Sequence, residues 1–396
     1  MSGVIEGLPT QRNERWKYTS LRALGARRFA DSADTPRLHP SLLDGIPSPR
    51  LVFVNGGFDA ALSDFSALEP GLALSPLSGH TPGTAGVGVH GADGADDVFT
   101  RLIRQHAKEG ALVRVAAGVH VGEPVHLVFV GAPASADIAS HSRHVVELGA
   151  DSRLALVEHY FCSGPHRHLQ NHSMRLSLGE GASLLHARSQ DEDSGATLVS
   201  HHEARLAARA QYHRLDLELG AALSRNEVSV RLLGADAQVM SSGALIAGGR
   251  QHVDTRLEIE HVARDTRCNL LWRGLAADRG RIAFHGGITI HAGADGSDAR
   301  LSNKNLLLSD NAEIDTQPVL QIHADEVKAA HGATVGRLDA NALFYLRSRG
   351  IALAEARAML TLAFCREALA AIGDPALVAA LSPRLEGRLA ALEAVA

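Results

Sequence analysis

Leu148-Gly149-Ala150-Asp151-Ser152, Leu178-Gly179-Glu180-Gly181-Ala182-Ser183 and Leu233-Gly234-Ala235-Asp236-Ala237 repeat one kind of punctuation, a leucine followed by a small, acidic turn. Between such turns run short stretches with period-2 alternation, among them Arg153-Leu154-Ala155-Leu156-Val157-Glu158 and Gln211-Tyr212-His213-Arg214-Leu215-Asp216-Leu217. This pattern holds from about Ala111 to Thr334, where long helical periodicity is nearly absent. Recurrent turns between short strands suggest a stacked β solenoid, and pattern alone leaves a large β sandwich open. The turns are unevenly spaced, which argues against the strict short repeat of a hexapeptide acyltransferase helix.

Outward from this core the chain changes character. Toward the N-terminus, Leu51-Val52-Phe53-Val54-Asn55-Gly56-Gly57-Phe58 reads as a strand entering an Asn-Gly hairpin. Trp16 and Tyr18, in Arg15-Trp16-Lys17-Tyr18-Thr19, read as packing anchors. Ser78 to Asp97 is rich in Gly, Pro, Ser and Thr and reads as a linker before a helix at Asp96 to Lys108. Gly86, Gly88 and Gly91 inside it match G-x-G-x-x-G, but without a preceding strand or an acidic residue at the ribose position the match carries no dinucleotide site. Toward the C-terminus, Asp339 is a helix N-cap and Gly350 a C-cap. Leu353, Ala356, Leu360, Ala363 and Phe364 then recur at three-four spacing up to Gly373.

Composition narrows the class. With 396 residues and 45% hydrophobic content the chain can bury a large core without disulfides or structural metal, and that core is expected to be mostly Leu, Val, Ile and Ala. Cys162, Cys268 and Cys365 are too scattered for a disulfide framework or a C-x-x-C knuckle, which suits a reducing compartment. A net charge of -5 and a pI near 6.5, with no Lys/Arg block, argue against a nucleic-acid binder. The first fifteen residues include Glu6, Arg12, Asn13, Glu14 and Arg15 and no long apolar run, so neither a signal peptide nor a membrane span is expected, and the cytoplasm is the expected location. There is no G-x-x-x-x-G-K-[ST], G-x-S-x-G or H-E-x-x-H motif.

The residues from Gly248 onward resemble a known family. Gly248-Gly249-Arg250-Gln251-His252-Val253-Asp254, Asn303-Lys304-Asn305-Leu306-Leu307-Leu308-Ser309-Asp310 and Ala312-Glu313-Ile314-Asp315-Thr316-Gln317-Pro318 are similar to the SufB/SufD family of iron-sulfur cluster assembly scaffolds. So is Ala324-Asp325-Glu326-Val327-Lys328-Ala329-Ala330-His331-Gly332-Ala333-Thr334-Val335-Gly336, with Leu343-Phe344-Tyr345-Leu346-Arg347-Ser348-Arg349-Gly350-Ile351 behind it. Leu8-Pro9-Thr10 and Glu14-x-Trp16-Lys17-Tyr18-Thr19 tilt the resemblance to the SufD side of the family, with a SufB-like paralogue as the runner-up. A β-helix enzyme of unknown reaction is the alternative of a different class, and it would turn over substrate alone.

The resemblance implies a mainly β fold: a right-handed parallel β-helix core at 111–337, an N-terminal helical and α/β region with a Gly/Pro-rich linker at 1–110, and a C-terminal helical region at 338–396. It implies a non-catalytic scaffold that pairs with SufB, binds the SufC ATPase that supplies ATP hydrolysis, and forms a homodimer when isolated. A transient iron-sulfur cluster at the SufB interface and reduced flavin in the complex are the cofactors it implies, none held stably by this chain alone. Family members often carry Lys-Cys-Ser-His where this chain has Lys328-Ala329-Ala330-His331, so no thiolate is available there. His331 is then the expected interface residue and transient iron ligand. Phe344, Tyr345, Arg347, Arg349, Leu353 and Leu360 are the expected SufC contacts.

Three other groups of residues invite a chemical reading. His166, His168 and His172 form a possible H-x-H metal cluster, against which stands a polar loop in a chain with 22 histidines. Cys268 beside Arg267 could be an activated thiolate, against which stands a small buried hydrophobe. Cys365, beside Phe364, reads as packing.

Overall fold

The fold is taken from a computed structural model that describes residues 3–30, 36–79 and 97–393. The Gly86, Gly88 and Gly91 pattern and most of the expected linker lie outside the described residues. The chain is mainly β, 46% strand, and forms a parallel β-solenoid of about 8 turns with a few C-terminal helices.

Each turn places one strand in each of two facing sheets. One sheet of ten strands begins at the hairpin of Arg50–Val54 and Gly57–Phe58 and ends at Lys328–Gly336. The other, of nine, begins at Leu72–Pro76 and ends at Glu313–Ile322. Arg50–Val54 joins Val125–Gly131 in parallel, so the first sheet starts well before residue 111. Asn55 and Gly56 both have positive φ, as the Asn-Gly hairpin requires.

The punctuation read from sequence is the turn row of the solenoid. Asp151, Gly181, Arg209 and Asp236 occupy left-handed backbone at equivalent places. Successive turns are tied by Asp151 N–H to the Glu180 carbonyl (2.8 Å), Gly181 N–H to that of Ala208 (2.9 Å) and Arg209 N–H to that of Ala235 (2.8 Å).

Among the described residues five α-helices flank the coil: α1 (Arg22–Gly25), α2 (Val98–His106), α3 (Ala340–Ser348), α4 (Leu353–Ala370) and α5 (Pro375–Glu393). α2 is capped by Asp97, whose carboxylate accepts from Thr100 N–H at 2.9 Å. Trp16 is buried, stacked on Phe99 at 5.4 Å with the Arg225 guanidinium 3.8 Å from its ring centre, which pins the N-terminal segment to the second sheet. Tyr18 is only half-buried.

The core is mostly Leu, Val, Ile and Ala, as expected, but it is not so throughout. Its middle turns are polar. In Gln211–Glu218, Tyr212, Arg214, Asp216 and Glu218 are buried, while Leu215 and Leu217 face outward onto the C-terminal helices. The register stacks Leu156, His186 and Arg214 in one inward column and Glu158, Arg188 and Asp216 in the next. Beside Leu156 these positions hold charged and polar groups that partner one another, Arg214 with Asp216 on the same strand and Glu158 with His186 one turn on, as buried charges require.

Candidate functional site at the open end and the C-terminal helices

The two ends of the solenoid are unlike. At the N-terminal end both sheets finish in antiparallel strands, Gly57–Phe58 and Leu72–Pro76. At the other end, among the described residues, Lys328–Gly336 is paired on one side only, to Asp298–Leu307, and Glu313–Ile322 only to Arg281–Ile290. Two long parallel edges, of 9 and 10 residues, are thus left bare together. Bare edges of this length expose backbone donors and acceptors ready for another chain.

His331 lies in the last strand, in register with the inward-facing Leu301. It therefore ends an inward column, but because no turn follows, its side chain is exposed. Below it, Asn303 and Asn305 are buried. Asn305 Nδ2 donates to Asn303 Oδ1 (2.6 Å) and to the Thr334 carbonyl (3.1 Å), and Thr316 Oγ1 donates to Asn303 Oδ1 (2.7 Å).

Next to this end the chain leaves the coil through Asp339, whose carboxylate accepts from Asn341 N–H at 2.7 Å and starts α3. Gly350, at φ 86°, follows α3. α4 and α5 lie on the outward face of the first sheet. Cys365, Leu369, Leu381, Leu385 and Leu389 pack there on Leu215, Leu217, Ile246 and Leu275. Arg273, itself buried, donates through Nε and Nη2 to Glu367 Oε2 at 2.9 and 2.8 Å and fastens α4 to the sheet.

The buried stripe of α4 is Ala356, Thr361, Cys365, Ala368 and Leu369; of the stripe read from spacing Ala356 is buried and Phe364 partly buried, while Leu353 and Ala363 are exposed. α4 is apolar on more than one side, so spacing could not tell which side packs. The consequence is a second apolar face without a partner among the described residues. Phe344 is 75% and Tyr345 58% exposed, and Leu353 and Met359 are also exposed. Leu360 is half-buried, while Arg347 and Arg349 are exposed, Arg349 lying over the Tyr345 ring. A cavity of about 320 Å³ opens beside Leu353, lined by Ala277, Leu308, Leu338 and Thr361 among others.

The interior polar turns form a second, sealed constellation. Glu158, fully buried, accepts from Tyr160 Oη (2.6 Å), His186 Nε2 (2.7 Å) and His202 Nε2 (3.0 Å). Burial alone would raise its pKa, but His202 and the bonds from both histidines outweigh this and hold it well below the usual carboxylate range. Burial, with Arg214 nearby, lowers His202 to about 3, against the pull of Glu158. Arg188 pairs with Glu218, and Arg214 grips Asp216 with two bonds of 2.7 Å. No sequence motif marked this network. Its only sequence signal is a run of strands with charges on the alternate positions to Leu.

His166, His168 and His172 do not converge on a common point. His166 bonds Glu192 (2.8 Å), His168 the Ala132 carbonyl (2.9 Å) and His172 the Ser142 hydroxyl (2.5 Å). Among the described residues no group of three His, Cys, Asp or Glu side chains has the arrangement to hold a metal ion. Cys268 faces the interior, away from the exposed Arg267, and burial pushes its thiol up to about 12. Cys365 is raised to about 12 by burial, and Cys162 to about 11 by burial with Glu192 beside it. All three stay protonated at neutral pH, the reverse of an activated thiolate.

Comparison with known proteins bears on both features. The model of the SUF system FeS cluster assembly SufBD core domain matches residues 130–364. The iron-sulfur cluster assembly protein SufD of Escherichia coli is 31% identical over 97% of this chain and 90% of its own length. An iron-sulfur cluster assembly SufBD family protein of Synechocystis is 28% identical over 91% of this chain and 83% of its own. A Mycobacterium tuberculosis protein of the same description is 30% identical, with 70% of each chain covered. Among the described residues no helix is long and apolar enough to cross a membrane.

Proposed function

This chain belongs to the SufBD family of the SUF system for iron-sulfur cluster assembly, and from that premise we propose that it is a scaffold subunit that joins SufB edge to edge and holds the SufC ATPase on its C-terminal helices. The bare pair of parallel edges at Glu313–Ile322 and Lys328–Gly336 carries the reading. A partner that also ends in parallel strands would continue both sheets at once and satisfy the exposed backbone groups. In isolation a second copy of this chain would serve the same edges, giving a homodimer.

SufC docking is supported by the exposed face of α3 and α4. Phe344, Tyr345, Leu353 and Met359 present apolar and aromatic surface flanked by Arg347 and Arg349, a composition suited to an interface centre. The cavity beside Leu353 would receive an apolar side chain of the partner. ATP hydrolysis comes from that partner, and this chain serves as scaffold rather than enzyme.

His331 takes the chemical role. An imidazole can offer a lone pair to iron. At the junction it would complete a ligand set supplied largely by SufB while the cluster, the cargo of the machine, is assembled and passed on. Reduced flavin is expected to join at the level of the complex. The deciding experiment is co-expression with SufB and SufC from the same cell and purification through a tag on this chain. A stoichiometric complex is expected. Recovery of the chain free of both partners overturns the scaffold reading.

A further inference from the structure

We infer that Asn303, Asn305 and Thr316 form a clamp one turn below the open end that positions His331 toward iron, an inference resting on the role given to His331 above. The last strand of each sheet has a neighbour on one side only, so half of its ladder is missing and it is the part of the coil most prone to local opening. The clamp ties both terminal strands to the strand beneath. Asn305 Nδ2 holds the Thr334 carbonyl in Lys328–Gly336 at 3.1 Å, and Thr316 Oγ1, in Glu313–Ile322, holds Asn303 Oδ1 at 2.7 Å. Asn305 Nδ2 and Asn303 Oδ1 close the bridge at 2.6 Å.

These are buried inward positions that the other turns fill differently. In the Asn305 column Leu245 stands two turns earlier, and Gly274 stands between them. A Cβ on Gly274 would collide with Asn305 Oδ1, so that glycine leaves the room the amide occupies. A buried amide must have its partners satisfied, whereas leucine would pack there with no such demand. What the amides provide and leucine does not is a fixed offset between the two terminal strands. Thr334 is three residues from His331 on the same strand, so that offset sets where the imidazole stands relative to Thr316 and Pro318 across the interior.

The test uses the complex with SufB and SufC, supplied with ferrous iron and a sulfide donor, with cluster formation followed by visible absorbance. Asn305→Leu is expected to leave the complex intact on gel filtration and to lower cluster formation about tenfold, as loss of a group that orients a ligand commonly does. Combined with His331→Ala it should cost nothing beyond His331→Ala alone, because a positioning residue has nothing left to position. Amide exchange at 328–336 should also quicken. Thr316→Val, which keeps the shape and removes the hydroxyl, serves the same cycle if the Asn305→Leu complex does not assemble. Additive losses in the double variant overturn the clamp alone. Full cluster yield with His331→Ala overturns the role of His331, and the clamp with it.

Discussion

Acid should unfold this protein near pH 5, and the buried histidines set that value. His126, His141, His144 and His261 are buried and held at about 4, mainly by desolvation, and His202 at about 3 by burial and Arg214. The ordinary value is 6.5. Since the folded pKa lies below the unfolded one, the unfolded chain takes up protons first as pH falls. Stability is therefore full above about 6.5 and is lost on the way down toward the folded values. Between pH 7 and pH 5 each such histidine costs about 2 kcal/mol, and five together cost on the order of 10 kcal/mol. A folded domain holds about 5–15 kcal/mol in total, so the loss is of the same size as the reserve. His201 works the other way: burial opposes its charge, but Glu227 raises it overall, so it returns a fraction of the loss. The carboxylates held low, Glu158 and Glu227, keep their contribution until the pH falls below the ordinary carboxylate range. The assay is urea unfolding at pH 7, 6 and 5, followed by the fluorescence of buried Trp16 and Trp272 and by far-UV circular dichroism. An unfolding free energy at pH 5 within about 2 kcal/mol of that at pH 7 would refute the reasoning, since it would mean these histidines accept protons while folded.

Four further outcomes follow from the same geometry. A chain ending before Asp339 should lose SufC in pull-down while still pairing with SufB, and normal SufC recovery would move the contact elsewhere. His331→Ala should leave the three-subunit complex intact and lower cluster formation about ten- to a hundredfold, as judged by visible absorbance. Leu369→Ala, at a buried position between α4 and the sheet, should cost about 2–4 kcal/mol, confined to the helical region and visible as faster proteolysis of α4 and α5 while strand signals persist. The purified subunit alone should show neither phosphate release from ATP nor a visible iron-sulfur band that survives gel filtration, since it lacks a phosphate loop and its thiols stay protonated.

Where a feature was legible in sequence, its cause was local. The turn row announced itself because each turn needs a residue tolerant of left-handed backbone, and glycine and aspartate recur at Asp151, Gly181 and Asp236. Asp339 and Gly350 marked α3 for the same kind of reason: a cap is satisfied within three residues. The polar turns of the interior went unread because much of their pairing is remote. Glu158 meets His186 twenty-eight residues on and His202 forty-four residues on, so its satisfaction cannot be seen in any short window. Period-2 alternation alone does not say which side Leu215 and Leu217 take, and they are buried by helices on the outside. The same ambiguity hid the packed face of α4, where leucines and alanines on several sides fit more than one orientation. An element apolar on both sides within one chain has spent only one side on its own fold. By that argument the surplus on α3 and α4, like the two unpaired edges beside His331, is the surface on which the proposed partners would be expected to settle.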